Sequence, residues 1–224
     1  MVGEIGKRQA LIDLLLMNVL FWSVWSLRFF DVSFIGALTM AAGILLTLLL
    51  LKWRGQTTAV IGAGPVADRR WLLRHSIQTA AYIGVTALVV GAAVRVLIGD
   101  PSVSSVLTQQ PRGFWLFLLD VTLVTWVLIG FGEEFVFRGF ILNRLIVLFG
   151  QSPQGLLAAA LLQAIWFGAG HASQGISGML ITGAIGFVLA MVYLYPARRS
   201  LWPLVIAHAS IDSVALSLNW LTTN

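Results

Sequence analysis

The sequence predicts an all-α fold: a polytopic transmembrane bundle of about eight helices around an intramembrane polar cavity. Three observations carry this. The 224 residues are 58% hydrophobic and 10% charged, with a mean hydropathy of +0.91, well beyond the roughly 45 to 50% apolar content of a soluble domain. Apolar runs of about 20 residues recur, long enough to cross a hydrocarbon core of about 30 Å as helices. Carboxylates, imidazoles and guanidiniums stand inside or at the ends of the later runs. A charge at bilayer depth costs roughly 2.5 to 3.5 kcal/mol on insertion scales, so each needs a cavity or a partner. One membrane domain covers 1–224, with its motif-bearing core at approximately 113–220.

The first two runs, near 10–27 and 32–51, are joined by a tight turn holding Arg28 and Asp31. Lys7 and Arg8 before the first run give it the look of a secretory signal. The run is longer than the usual 7 to 15 residues and has no small-residue cleavage site, so it reads as a retained helix. A polar loop follows with Lys52, Arg54, Arg69, Arg70 and Arg74, and its Gly62-Ala63-Gly64-Pro65 reads as a turn, because no strand precedes it as a phosphate loop requires. The third and fourth runs, about 76–98 and 113–132, carry Arg95 and Asp120 and are separated by Gly99-Asp100-Pro101. A short segment, 135–149, with Arg138, Asn143 and Arg144, is expected to cross, tilt or re-enter, ending at Gly150-Gln151-Ser152-Pro153.

Runs at about 155–170, 176–194 and 201–220 complete the set. Gly178, Gly183, Ala184 and Gly186 suit close helix packing in lipid. Ser200 is placed to cap the last helix, where Pro203 is tolerated in the first turn.

The net charge of +5 and pI near 10.4 do not point to nucleic acid, because the Lys and Arg residues sit in short loops between apolar segments and read as topology signals. They favour a cytoplasmic N-terminus, as in a bacterial inner membrane. Arg198 and Arg199 disagree: with eight full crossings they follow the seventh and fall on the outer side, so either one segment is re-entrant or the bias fails locally. The chain has no cysteine, which excludes disulfides, thiolate metal sites and a cysteine nucleophile.

The chemistry concentrates late in the chain. In Gly132-Glu133-Glu134-Phe135-Val136-Phe137-Arg138, residues four apart share a helix face, so Glu134 can pair with Arg138. Glu133, about 100° round, is left free to act as a base. Phe167 and His171 repeat the spacing in Phe167-Gly168-Ala169-Gly170-His171, where the glycines permit close approach to the imidazole. His208 and Asp212 repeat it again, with His208 about 10 Å into its helix. Each has a bland reading, such as a helix-end salt bridge or an interfacial histidine. His75, among the loop arginines, is set aside on that ground. Together, Glu133, His171 and His208 offer a base and nitrogen donors from three helices, suited to activating water or holding zinc.

Glu133-Glu134-x-x-x-Arg138, Phe167-x-x-x-His171 and His208-x-x-x-Asp212, in that order, resemble the three motifs of the CPBP family, the CAAX-protease and bacteriocin-processing (Abi) membrane proteins. The resemblance implies an eight-helix intramembrane peptidase in which Glu133 and His171 activate water. It also implies that His208 and Asp212 bind metal or stabilise an oxyanion, while Glu134, Arg138 and Phe167 orient the site. Asp212 stands where many members carry Asn; an ionised carboxylate accepts but cannot donate, which suits it to orienting His208 or binding a cation. The cofactor is open between Zn2+, drawing on His171, His208, Asp212 and Glu133, and a metal-free glutamate mechanism. The partners implied are membrane lipid and a hydrophobic, prenylated or otherwise lipid-anchored peptide.

Two readings compete with the peptidase. Intramembrane Glu, His, Asp and Arg also build proton relays in transporters and channels, although no internal repeat of the kind many transporters show is evident. A non-catalytic immunity or peptide-binding protein would keep the same motifs.

Overall fold

A computed structural model describes residues 5–27, 35–99, 113–197 and 199–223. The expected turn with Arg28 and Asp31, the Asp100-Pro101 connection and Arg198 lie outside them. Most described residues are helical, with no strand among them, in seven long helices and two short 3-10 turns, Thr58–Ile61 and Ala172–Gln174; the helices are α1 Lys7–Ser26, α2 Ile35–Trp53, α3 Arg69–Ile98, α4 Phe114–Phe149, α5 Pro153–Ala169, α6 Gly175–Leu194 and α7 Trp202–Thr223. All except α5 are long and apolar enough to cross a membrane.

The helix count corrects the expected eight. The runs at 113–132 and 135–149 are one helix, because the charges between them do not break it. The Glu134 carboxylate takes up the Arg138 guanidinium within the helix, so neither charge has to seek water at a chain break. Two stretches of α4, Asp120–Phe131 and Glu134–Ile141, are wound as π-helix, a winding that recurs at functional sites. The halves of α4 differ in surroundings. Trp115, Leu116 and Leu119 of the first half are exposed, whereas Glu134 to Leu142 are all buried among other helices.

Local signals set the helix ends. Asp68 caps α3, accepting from the backbone N–H of Arg70 and Trp71 at 3.0 and 2.9 Å, and Ser152 caps α5, accepting from Gly155 at 3.1 Å with Pro153 opening the helix. Ser200 does not cap α7. Among the described residues its buried hydroxyl has no hydrogen-bond partner, and the Leu201 N–H donates to the Gly62 carbonyl at 3.0 Å. Around the buried half of α4, α5 packs on α6, α6 on α3, and α3 on α7, while α1 pairs with α2 and with the end of α4. Small residues close the α5–α6 contact: a Cβ on Gly168 would lie 2.6 Å from the Met179 carbonyl oxygen and 3.0 Å from Gly183 Cα.

Seven helices also change the topology. The loops after α2, α4 and α6 meet at one end of the bundle, where Arg199 donates to Gln151 at 2.6 Å and the Trp202 indole to the Gly64 carbonyl at 2.7 Å. Arg199 therefore shares a side with the basic loop of 52–74. With seven helices in place of eight, Arg199 agrees with the charge bias.

Candidate active site

Glu134 is the centre of the polar cluster. Its Oε1 accepts from Arg138 Nη1 at 3.2 Å, one turn along α4, and from His208 Nδ1 at 2.8 Å on α7. The Glu134 and Arg138 side chains are both fully buried. Arg138 is held from its other side by an aromatic ring, with Cζ 4.3 Å from the centroid of Phe167. That contact matters because Arg138 Nε and Nη2 have no hydrogen-bond partner among the described residues, and a ring face is the favourable neighbour left to a desolvated guanidinium. Phe167 is fixed in turn by Phe137, edge to face at 5.0 Å. Opposite it, Gly186 of α6 leaves the space: a Cβ there would lie 2.8 Å from Phe167 Cδ1 and 3.4 Å from Arg138 Nη2.

The second face of His208 looks the other way. A carboxylate oxygen only accepts, so Nδ1 carries the proton shared with Glu134. This turns Nε2 toward Glu133 Oε2 at 4.0 Å and Asp212 Oδ2 at 3.4 Å. Exposure rises in steps across the cluster: none for Glu134 and Arg138, 14% for Glu133, 15% for His208 and 38% for Asp212. The sealed ion pair is thus the backing of the site. Glu133, His208 Nε2 and Asp212 form its accessible side.

His171 lies just past the end of α5, half-buried, where its backbone N–H caps back to the Gly168 carbonyl at 2.9 Å. Its Nδ1 meets the Phe167 carbonyl at 2.9 Å. A carbonyl cannot donate, so Nδ1 holds the proton and Nε2 keeps its lone pair. Glu133 lies within Coulombic reach of His171 as well as of His208, Asp212 and Arg138. The structure therefore brings all seven expected residues into one region, with Glu134, Arg138, His208 and Asp212 in a continuous chain of contacts and Phe167 and His171 beside it. The Glu134–Arg138 and His208–Asp212 pairs are those that the four-residue spacing predicts. The Glu134–His208 bond, across 74 positions, has no signal in the spacing.

Among the described residues no group of three or more His, Asp or Glu side chains is arranged to hold a metal ion; the Glu134 carboxylate engages His208 Nδ1 and leaves Nε2 as the ring nitrogen facing the accessible side.

Sequence reading missed a second buried cluster. Asp13 of α1 accepts at Oδ1 from Arg54 Nη2 at 2.7 Å and at Oδ2 from Arg144 Nε at 2.9 Å, and Arg144 Nη2 donates to Gln56 Oε1 at 2.8 Å. This ties α1 and the start of the 54–68 loop to the end of α4. Asp13 carries no motif, and only its complete burial marks it.

Comparison with known proteins agrees with the motifs. Residues 114–214 match the family model of Type II CAAX prenyl endopeptidase Rce1-like proteins, a stretch that includes Glu133, Glu134, Arg138, Phe167, His171, His208 and Asp212. No curated protein and no solved structure matches the chain. That stretch, a little under half of the chain, is what is similar to the CAAX-protease family.

Proposed function

We propose, with that family as premise, that this multi-pass membrane protein is an endopeptidase that hydrolyses a peptide bond in a membrane-anchored hydrophobic peptide, prenylated C-terminal segments of the CAAX type included. One observation carries the reading. Glu133, His208 and Asp212 from two helices share the accessible side of a site whose other wall is a sealed ion pair.

Glu133 acts as general base. It takes a proton from water as the water oxygen bonds to the scissile carbonyl carbon, and His171 Nε2 orients that water by accepting its other hydrogen. The carbonyl oxygen gains the electron pair. His208, in its imidazolium form, donates Nε2–H to this oxyanion while Nδ1–H stays on Glu134, so the donor is oriented before charge develops. Collapse of the intermediate breaks the C–N bond, and the proton held on Glu133 passes to the leaving nitrogen. Asp212 orients His208 from the Nε2 side. Glu134 and Arg138 are positioning residues, since they act through His208 and the helix that carries Glu133.

The reading takes the N-terminus and the basic 52–74 loop as cytoplasmic, in a bacterial inner membrane. Impermeant labelling of a cysteine introduced at exposed Lys52 tests this: reaction from the outer face of intact cells contradicts it.

The chemistry is tested with purified protein in liposomes and a farnesylated peptide ending in a CAAX sequence, with products identified by mass. The protein should cleave the peptide, and Glu133→Ala should not, while remaining folded. Equal cleavage by Glu133→Ala removes Glu133 from the mechanism. Glu133-dependent ion flux with no cleavage points instead to a transporter.

A further inference from the structure

We propose that the segment Thr58–Gly64 is a positioning element for the site, acting through Gly62 and Trp202 to hold α7 in register with α4 and so to keep His208 on Glu134. The proposal rests on the peptidase reading for its kinetic consequence only.

The segment is wedged between the two helices that the Glu134–His208 bond joins. On the α7 side, the Gly64 carbonyl accepts from the Trp202 indole at 2.7 Å and the Gly62 carbonyl from the Leu201 N–H at 3.0 Å. Gly62 has a φ of +88°, and a Cβ there would strike the Arg199 carbonyl oxygen and lie 2.9 Å from the Tyr193 ring, so only glycine fits both the backbone and the space. On the α4 side, Ile61 is fully buried, and its carbonyl oxygen lies 3.1 Å from where a Gly139 Cβ would stand. The end of α6 joins the same knot. Asn143 of α4 donates through Nδ2 to the Gly139 carbonyl at 2.6 Å and to the Tyr193 hydroxyl at 2.9 Å.

These contacts are near the chemistry along each helix. Trp202 precedes His208 by six residues, about 9 Å of rise, and Gly139 follows Glu134 by five, about 7.5 Å. A strut that fixes both helices at this distance fixes their axial register, and a slide of about 1 Å would break the bond that orients His208. The start of α7 depends on this strut because the Ser200 hydroxyl makes no cap and Pro203 has no N–H to anchor.

Trp202→Phe tests the idea gently. It keeps a ring against Phe131, whose centroid lies 6.2 Å from that of Trp202, and removes only the N–H that reaches Gly64. Gly62→Ala is the severe variant. Two readouts are taken: kcat and KM on the farnesylated peptide, and the 15N shift of His208 Nδ1 in histidine-labelled protein, assigned with His208→Ala. The expected result for Trp202→Phe is a fall of about tenfold in kcat with KM within about twofold, together with movement of the His208 Nδ1 signal away from its carboxylate-bonded position. An unmoved His208 signal in Trp202→Phe overturns the proposal whatever kcat does. If the wild type cleaves nothing, the peptidase reading fails, and the 15N shift alone decides the positioning role.

Discussion

Glu134 and His208 are joined by a 2.8 Å hydrogen bond from Nδ1 to Oε1, and the same carboxylate oxygen also receives Arg138 at 3.2 Å. One buried oxygen thus serves two donors on two helices. It neutralises the guanidinium and sets which face of the imidazole looks toward Glu133.

Glu134→Gln removes the charge that compensates a fully buried Arg138. Losing one partner of a buried pair costs about 3 to 5 kcal/mol, so thermal unfolding should show a large drop in midpoint. A shift no greater than that of a surface substitution contradicts the pairing.

Arg138→Lys keeps the charge and still fails. An ammonium lacks the planar face that stacks on Phe167 and the fork that reaches Glu134. Cleavage should fall, with a stability loss of about 1 to 3 kcal/mol. Full activity in Arg138→Lys would show that the Phe167 contact, at 4.3 Å, is incidental.

Gly186→Ala inserts a methyl 2.8 Å from Phe167 Cδ1. Overpacking of this kind costs about 1 to 3 kcal/mol, and here the displaced ring is the one beneath Arg138. Denaturant melts should show the loss. Replacing Phe167 by the smaller Leu in the same chain should recover part of it, and a strictly additive double variant would contradict the contact.

Asp13→Asn leaves Arg54 and Arg144 facing each other without their carboxylate, at a cost of about 3 to 5 kcal/mol. Adding Arg144→Met should return much of that stability, since an apolar replacement for a buried pair is often neutral or better. The measurement is a double-mutant cycle of unfolding free energies. No recovery means the cluster does not act as a unit.

The legibility of the sequence divides by range. Glu134 with Arg138 and His208 with Asp212 are four apart on one helix face, so spacing alone pairs them; Phe167 and His171 keep the spacing but not the face, because α5 ends at Ala169 and His171 is held by its Nδ1 contact to the Phe167 carbonyl. The bond from Glu134 to His208, the Asp13–Arg144 link across 131 positions and the seating of Gly64 on Trp202 depend on how helices dock, which no local pattern encodes. The count of eight failed at Glu133-Glu134. A charged patch looks like a boundary when judged by hydropathy, yet a pair that neutralises itself inside a helix and is enclosed by other helices needs no break there. Ser200 has a local reason: a capping hydroxyl accepts from the N–H two or three residues on, and the second of these, Pro203, has none, while the Leu201 N–H goes to the Gly62 carbonyl and α7 opens one residue later.

The central claim is that residues far apart in the chain act as one catalytic unit, and a kinetic double-mutant cycle on Glu133→Gln and His208→Ala tests it most directly. Groups that serve one transition state lose their effect together, so the double variant should cleave the farnesylated peptide no more slowly than the slower single variant. Losses that multiply would mean that Glu133 and His208 work independently, and would contradict the site described here.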